Sequence, residues 1–181
     1  MQSDAELIQL SRRGNPQAFA KLVKRYEQIV KKTTFSMCGN ETGKDVAQEV
    51  FIRFYNNLAQ FQGDAKLSTY ITRIAINLSL NELDRSKRKM VNEAQYFKAE
   101  NPLSKVEKGH QFETNEIVER ALAMLEPDFR SVVVLRLIDG YSVQETADML
   151  GLPKGTIASR LNRAQLKLRE MIQKLNQNKR I

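Results

Sequence analysis

Residues Tyr141–Glu170, YSVQETADMLGLPKGTIASRLNRAQLKLRE, predict two helices joined by a tight turn. Ser142 is placed to cap the first helix, and Glu145 returns the hydrogen bond from three positions on, as in a capping box. Gly151 follows that helix, where a left-handed residue is easiest. Pro153 suits the first turn of the next helix, because no intrahelical partner waits for its missing N–H. The stretch therefore predicts a helical hairpin with two defined ends.

Three residues in this hairpin have the spacing of a helix-turn-helix. Ala147 is small where two helices must approach closely, Gly151 lies at the turn, and Ile157 returns to the core. A helix-turn-helix lays its second helix in the DNA major groove. The spacing therefore indicates a DNA-binding protein.

The alternative is a helical hairpin whose basic face is only solvated. Residues 153–181 hold eight Lys or Arg and one acid, a net charge of +7, whereas residues 114–152 hold three basic and seven acidic residues, a net charge of −4. The charge changes sign at the turn, as expected for a helix that faces phosphates. This pattern favours DNA binding over the solvated hairpin.

Composition limits the protein class. The chain has 181 residues and a net charge of +8, which favours a polyanionic partner. Its single cysteine, Cys38, excludes an internal disulfide and suits a reducing cytoplasm, and with one histidine, His110, it argues against a metal site. We expect His110, in a polar stretch, to face solvent. No run approaches the ~20 apolar residues of a membrane span, and the N-terminus lacks a signal pattern.

Helical periodicity dominates the chain, and no alternating strand pattern is convincing. We predict an all-α protein of two small helical bundles joined by a flexible linker, the C-terminal bundle containing the helix-turn-helix. The first domain covers residues 1–90, the linker 91–113 and the second domain 114–181. Pro102 and Gly109 interrupt the linker, where apolar residues thin out.

The first domain is expected to contain four helices. The third runs from about Thr42 to Leu58, after a break at 39–43, and the fourth starts at Ser68 or Thr69 and ends in the basic cluster at 85–89. The inward stripe of the fourth helix is predicted to be Ile71, Ile74, Ala75, Leu78 and Leu83. In the second domain, Thr114 caps one helix and Pro127 opens the next, which ends at Gly140.

Two polar surfaces distinguish the first domain. One lies on the third helix, on the face opposite its core stripe, and comprises Asp45, Gln48, Glu49, Ile52 and Arg53. The alternative is an ordinary solvated face. The other comprises the loop at 61–67 and the helix after it, where Phe61, Gln62, Asp64, Lys66, Tyr70, Arg73, Asn77 and the 85–89 cluster occur.

The second surface has the chemistry of a site for unpaired bases. Aromatic rings stack on bases, amides read their edges, and Arg and Lys hold the phosphates. The alternative places Tyr70 in the core and leaves Asn77 solvated.

Three blocks carry a resemblance to a known family. DVAQEVFIRFY, then LSTYITRIAINLSLNELDRSKRK, then LPKGTIASRLNRAQLKLRE resemble, in this order, the extracytoplasmic-function (group 4) sigma factors of bacterial RNA polymerase. The likeness extends from Asp4 to about Met171. It implies a sigma factor that binds core RNA polymerase and directs promoter-specific transcription initiation, with no catalytic residue, cofactor, metal or small-molecule substrate.

The resemblance also implies a role for each surface. The third-helix face, Asp45, Gln48, Glu49, Ile52 and Arg53, would grip the clamp helices of the β′ subunit, and the second domain would dock on the β flap. Minus-ten recognition would fall to Phe61, Asp64, Lys66, Tyr70, Arg73, Asn77, Arg85, Lys87 and Arg88. Minus-thirty-five recognition would fall to Lys154, Thr156, Ser159, Arg160, Asn162, Arg163 and Lys167.

The same resemblance implies a regulator and a location. An anti-sigma protein would hold the free factor inactive in the cytoplasm, and the factor would join the nucleoid when bound to polymerase. The chain departs from the family pattern at Tyr70, where Trp is usual, and at Ala158, where a basic residue is common. Its promoter sequence is therefore not predictable.

Two rival functions are weighed against this one. The first is an autonomous helix-turn-helix transcriptional regulator, which would bind symmetric half-sites as a dimer and need a dimer surface that the sequence does not indicate. The second is a non-DNA adaptor whose basic helix binds an acidic protein, which the helix-turn-helix spacing disfavours.

Overall fold

The structure is a computed structural model that describes residues 2–63, 65–96 and 114–177. Within those ranges it contains α-helices and no strand, which confirms the all-α prediction. The helices are α1 (Asp4–Arg12), α2 (Pro16–Cys38), α3 (Asn40–Asn56), α4 (Leu67–Tyr96), α5 (Thr114–Met124), α6 (Pro127–Val133), α7 (Val143–Leu150) and α8 (Lys154–Gln177). A 3₁₀ turn, Leu58–Gln60, follows α3, and a π-helical turn, Val134–Ile138, continues α6.

The first helical group, α1–α4, begins with two helices whose N-termini are capped by side chains. Ser3 and Glu6 form a capping box, in which the Glu6 N–H donates to the Ser3 hydroxyl at 3.3 Å and the Ser3 N–H donates to the Glu6 carboxylate at 2.8 Å. Asn15 caps α2 by accepting from the backbone N–H groups of Gln17 and Ala18. Both helices therefore start where local chemistry satisfies their free N–H groups.

Helices α2 and α3 meet at a close approach. Gly39 joins them with φ +77°, a conformation that favours glycine, so α3 starts two residues earlier than expected. Gly43, inside α3, leaves no room for a side chain, because a Cβ there would lie 2.7 Å from Cδ1 of Phe35 and 2.9 Å from the carbonyl oxygen of Thr34. The packing of α3 on α2 therefore depends on this glycine.

Helix α4 is longer than predicted and has two buried stripes. It continues to Tyr96, because no Gly or Pro interrupts residues 91–96. One stripe packs in the first group and contains Leu67, Ile71 and Ala75. The other faces away from it and contains the buried residues Thr72, Ile76 and Ser79 and the partly buried Leu80 and Leu83.

Leu83, predicted to face inward, is half-buried against a cluster that both helical groups form. Leu83 and Ile76 pack there with Met37 of α2 and with Val134, Leu135 and Met149 of the second helical group, α5–α8. Local periodicity placed Leu83 inward without showing which group would cover it.

The helix-turn-helix follows its predicted geometry closely. Ser142 and Glu145 form the expected capping box, and Gly151 takes the left-handed conformation with φ +64°. Ala147 and Ile157 are buried in one cluster with Val132 of α6. Helix α8 begins at Lys154, one residue after the predicted first-turn proline.

Candidate nucleic-acid interface

The first candidate surface, here called the aromatic surface, comprises Phe61, Lys66, Tyr70, Arg73 and Asn77. The rings of Phe61 and Tyr70 lie 4.9 Å apart between centroids, tilted at 52°, and both residues are half-buried. Such tilted pairs are favourable beyond their buried area. A half-buried ring pair beside the start of α4 thus forms a platform that is partly accessible to solvent.

Tyr70 serves the core as well as this platform. Its ring also meets the buried ring of Phe54 on α3, with centroids 6.2 Å apart. Both sequence interpretations of this residue therefore describe part of its environment. A side chain anchored on one edge and exposed on the other offers a base a rigid ring to stack on.

Arg12 of α1 holds the backbone that carries Phe61. Its Nε donates to the carbonyl oxygen of Leu58 at 3.0 Å, and its Nη2 donates to the carbonyl oxygen of Phe61. One guanidinium therefore fixes both ends of the segment between α3 and the loop. Sequence reasoning missed Arg12, because the contact joins positions 46 and 49 residues apart and has no local signal.

The remaining predicted residues of this surface follow α4. Lys66, Arg73 and Asn77 are exposed, while Asp64 lies outside the described residues. Arg85, Lys87 and Arg88 are also exposed, and Arg85 forms an ion pair with Glu82 at 2.8 Å. Asn77 and Arg88 are about 16 Å apart along the helix axis, so the basic cluster extends the aromatic surface and does not surround it.

The second candidate surface, here called the basic surface, lies on α8. Lys154, Ser159, Asn162 and Arg163 are exposed, and Thr156, Arg160 and Lys167 are half-buried. Ile157 and Ala164, both fully buried, anchor the opposite side of the same helix. The exposed Ala158 leaves an uncharged gap among the polar side chains.

Two cations of the basic surface are held by acids of the second group. Arg160 pairs with Asp128 at 2.7 Å, and Lys167 pairs with Glu126 at 2.9 Å and lies 4.6 Å from the ring centroid of Phe129. The sequence interpretation left these cations free for phosphate. The pairs are partly exposed and therefore weak, on the order of 0–1 kcal/mol each, so a phosphate can displace the acids.

The third candidate surface, here called the α3 face, comprises Asp45, Gln48, Glu49, Ile52 and Arg53. All five residues are exposed and lie on the side of α3 away from the buried Val46, Val50 and Phe54. Ile52 is 55% exposed, an apolar side chain in a charged surrounding. A single exposed isoleucine is common on protein surfaces, so its exposure fits both a protein-binding face and an ordinary solvated face.

The described residues offer no metal-binding cluster. Within them, no three His, Cys, Asp or Glu side chains are placed to hold a metal ion. Burial raises the pKa of the Cys38 thiol, so this cysteine is a poor nucleophile. His110 lies outside the described residues, and no described helix is long and apolar enough to cross a membrane.

Comparisons with known proteins identify the family of the chain. Residues 22–89 match the family Sigma-70 region 2, and residues 115–168 match Sigma-70, region 4. The chain is 31% identical to the ECF RNA polymerase sigma-E factor of Escherichia coli (strain K12), covering 96% of both proteins. It is 29% identical to the RNA polymerase sigma-H factor of Pseudomonas aeruginosa, again covering 96% of both.

Solved structures agree with the fold. CnrH in complex with the cytosolic domain of CnrY has a TM-score of 0.65 and 27% identity, covering 92% of this chain and 95% of that one. The sigma factor RpoE of Bartonella quintana, in complex with the anti-sigma factor NepR, has a TM-score of 0.67, covering 86% of this chain and 96% of that one. At 22% identity, this second likeness concerns the fold alone.

Proposed function

This chain belongs to the extracytoplasmic-function sigma factors of the sigma-70 family, and we propose that its three exposed surfaces divide promoter recognition between them. As a sigma factor it binds core RNA polymerase and promoter DNA and directs transcription initiation. The observation that supports this division is that two solvent-accessible surfaces suited to nucleic acid lie on different helices. The aromatic surface suits unpaired bases, and the basic surface suits duplex DNA.

The aromatic surface is proposed to capture a base of the melted minus-ten element. Unstacking a base costs a few kcal/mol, which the Phe61–Tyr70 platform offsets by stacking. The exposed amide of Asn77, about two turns along α4 from Tyr70, supplies a donor and an acceptor for the edge of the base. The phosphates of the strand are held by Lys66, Arg73 and the exposed cations at 85–88. Asp64 is proposed to take part in minus-ten recognition with them.

The basic surface is proposed to read the minus-thirty-five element as duplex. Its side chains project from the first four turns of α8, which follow the turn of the helix-turn-helix. Arg163 is exposed, and we assign it to phosphate, while Ser159 and Asn162 are placed for base edges. Lys154, Thr156, Arg160 and Lys167 complete the surface.

The α3 face is proposed to bind the clamp helices of the β′ subunit, and the second helical group to dock on the β flap. A charged face around the exposed Ile52 combines an apolar anchor with groups that give specificity. We assign residues 1–90 to region 2, residues 91–113 to the connection and residues 114–181 to region 4. Because α4 continues to Tyr96, residues 91–96 are a helical extension of the first domain.

An anti-sigma protein is the proposed regulator of this chain. CnrH, at 27% identity, is found in complex with the cytosolic domain of CnrY. We propose that the chain acts in the cytoplasm and joins the nucleoid as part of the polymerase. The family is one of transcription initiation factors, and we propose neither catalytic activity nor a cofactor for this member.

Specific initiation with core polymerase tests the proposal. The purified chain is added to core RNA polymerase on a promoter library, and transcripts are mapped to their start sites. We expect initiation at a defined set of promoters with paired minus-thirty-five and minus-ten elements. Binding to DNA without polymerase dependence would instead favour the autonomous regulator.

A pair of asparagine variants tests the base-capture surface. Asn77→Ala should slow open-complex formation with little loss of polymerase binding, since its amide meets the base only after melting. Asn81→Ala is the matched control, an exposed asparagine one turn further along α4. Equal losses in opening and polymerase binding for Asn77→Ala would count against base capture.

A further inference from the structure

Helix α2 carries a row of cations that belongs to none of the three proposed surfaces. Residues Pro16–Cys38 contain five Lys or Arg and one acid, a net charge of +4. The cations recur at helical spacing and lie on the side of α2 away from the buried Leu22 and Val30. A basic helix face of this kind is either solvated or bound by a polyanion.

The C-terminal end of this row spends its charge within the protein. Lys31 pairs with Glu27 on the same helix. Lys32 donates to the carbonyl oxygen of Ile138 and lies 4.0 Å from the carboxylate of Asp139. These two cations are therefore partly neutralised by internal partners.

The N-terminal end, here called the α2 patch, comprises Lys21, Lys24 and Arg25. Lys21 donates to the side-chain carbonyl oxygen of Gln2 at 2.9 Å, which is a neutral partner. In the described part of the chain, the exposed Lys24 side chain forms no hydrogen bond or ion pair. Arg25 pairs with Asp4. The patch thus sets three cations against one carboxylate.

The α2 patch lines a concave site. An open cavity of about 630 Å³ lies against its three side chains and Gln2, a volume within the range of ligand sites. Arg25 is fixed at this site, because its Nη2 also donates to the backbone carbonyl oxygen of Gln2 at 2.8 Å. None of these described lining residues is aromatic. The site therefore suits phosphates, and it offers bases no ring to stack on.

Helix α1 joins the α2 patch to the aromatic surface. Asp4, its first residue, contacts Arg25 and Tyr26, whereas Arg12, its last residue, holds the segment that carries Phe61. The nine residues of α1 rise about 14 Å, which is the length of about four base pairs of duplex. DNA that is bound at the aromatic surface can therefore reach the patch within a few nucleotides.

We propose that the α2 patch is a further DNA-binding site, which contacts the phosphate backbone of promoter DNA beside the minus-ten element. Lys21 and Lys24 supply the contacts, while Arg25, held by Asp4 and Gln2, shapes the site. The contact does not depend on base sequence, because an ammonium group binds phosphate as a point charge. Its position beside the minus-ten element rests on the proposed function of the aromatic surface.

The salt dependence of promoter binding by the polymerase complex tests the phosphate contacts. Lys24→Gln should lower the slope of log affinity against log salt by about 0.7–0.9, and promoter affinity about five- to eightfold at about 0.1 M salt. Adding Lys21→Gln should double the change in slope. Lys24→Arg, which keeps the charge, should behave as wild type. Lys174→Gln, at an exposed lysine of α8 outside the basic surface, is the matched control.

Binding of the same variants to core RNA polymerase without DNA separates DNA from an acidic protein as the partner. We expect wild-type affinity, since the patch lies on α2 and the proposed polymerase contact is the α3 face. A loss of polymerase binding that accounts for the whole loss of promoter binding would overturn the proposal. An unchanged salt slope in both the single and the double variant would also overturn it, and the row would then be a solvated face.

Photo-cross-linking locates the contact on the promoter. A photoreactive amino acid in place of Lys24 should cross-link to nucleotides beside the minus-ten element, and the same group in place of Lys174 should not. Cross-links to polymerase alone would refute the DNA contact. If wild type binds no promoter with polymerase, the proposed function fails and the patch with it. Normal wild-type initiation with an unchanged salt slope in Lys24→Gln would defeat the α2 patch alone.

Discussion

The two long helices that carry the DNA surfaces are supported in different ways. Helix α4 is buried along two stripes, one in each helical group. Helix α8 is anchored by Ile157 and Ala164 within the second group. The position of α4 therefore depends on both groups, whereas the position of α8 depends on the second group alone.

The recognition side chains of the two helices are also held in place in different ways. On α4, ring packing and the guanidinium of Arg12 fix the aromatic platform. On α8, ion pairs with Asp128 and Glu126 hold two of the cations. Packing gives a base a fixed surface, while weak ion pairs leave cations free to exchange an acid for a phosphate.

The largest expected effects come from emptying one core at a time. Ile71→Ala in the first group and Ile157→Ala in the second each remove a fully buried side chain and should cost roughly 2–5 kcal/mol of unfolding free energy. Because the groups share an interface, each variant should still unfold in one transition, measured by urea denaturation followed by circular dichroism. Ile52→Ala, at an exposed isoleucine, is the control and should change stability little.

Two transitions in Ile157→Ala, with the first group unfolding as in wild type, would show that the groups are independent. Helix α4 would then be supported by the first group alone. A single transition at lower urea in both variants would instead show that the stripe of Thr72, Ile76 and Ser79 couples the groups.

Gly43→Ala tests how the α3 face is supported. A Cβ at this position would meet the backbone of Thr34 and the ring of Phe35, so overpacking should cost roughly 1–3 kcal/mol and weaken polymerase binding by shifting α3. Gly155→Ala in α8 is the matched control, because a Cβ there meets nothing within 4 Å. The control should be neutral or slightly stabilising in thermal unfolding. An equally stable Gly43→Ala with normal polymerase binding would contradict the close packing.

The sequence predicts most of the helices, because their signals are local. Capping boxes at Ser3 and Ser142 and the left-handed Gly151 all lie where their neighbours require them. The second stripe of α4 was not predictable, since Ile76 lies on a different face from Ile71 and is covered there by the second group. Periodicity reports that a residue is buried and leaves its partner undetermined.

For the charged residues too, the sequence predicts local properties but not contacts between distant residues. The net charge of the last helix was readable, yet the pairing of Arg160 with Asp128 depends on how α8 lies on α6. Arg12 and Arg130 likewise acquire their roles from carbonyls of other helices. A carbonyl that accepts such a bond has no signature in its own residue type, so these positioning contacts appear only in the structure.

Arg12→Gln tests whether the aromatic surface needs its distant support. Losing the bonds to the carbonyls of Leu58 and Phe61 should slow open-complex formation about three- to tenfold, and amides near Phe61 should exchange hydrogen faster. Polymerase binding should change little, because the α3 face is intact. Arg13→Gln, an exposed neighbour with the same change of charge, is the control. Unchanged opening rates with faster exchange would limit Arg12 to a structural role.

The smallest effects concern the exchangeable cations of α8. Arg163→Ala should weaken binding to the minus-thirty-five duplex evenly across sequences and lower the salt slope by about one. In the described part of the chain, no ion pair involves Arg163, so its full charge is available to phosphate. A change of base preference would show that Arg163 reads bases.

Asp128→Asn tests the acid that a phosphate would have to displace from Arg160. It frees Arg160 from an acid 2.7 Å away and should strengthen duplex binding about two- to fivefold, because a phosphate no longer competes with a carboxylate. The gain should shrink with rising salt, as measured by fluorescence anisotropy. Weaker binding would instead mean that the ion pair with Asp128 orients Arg160 for DNA. The recognition side chains of α8, like those of α4, would then depend on contacts formed before DNA binds.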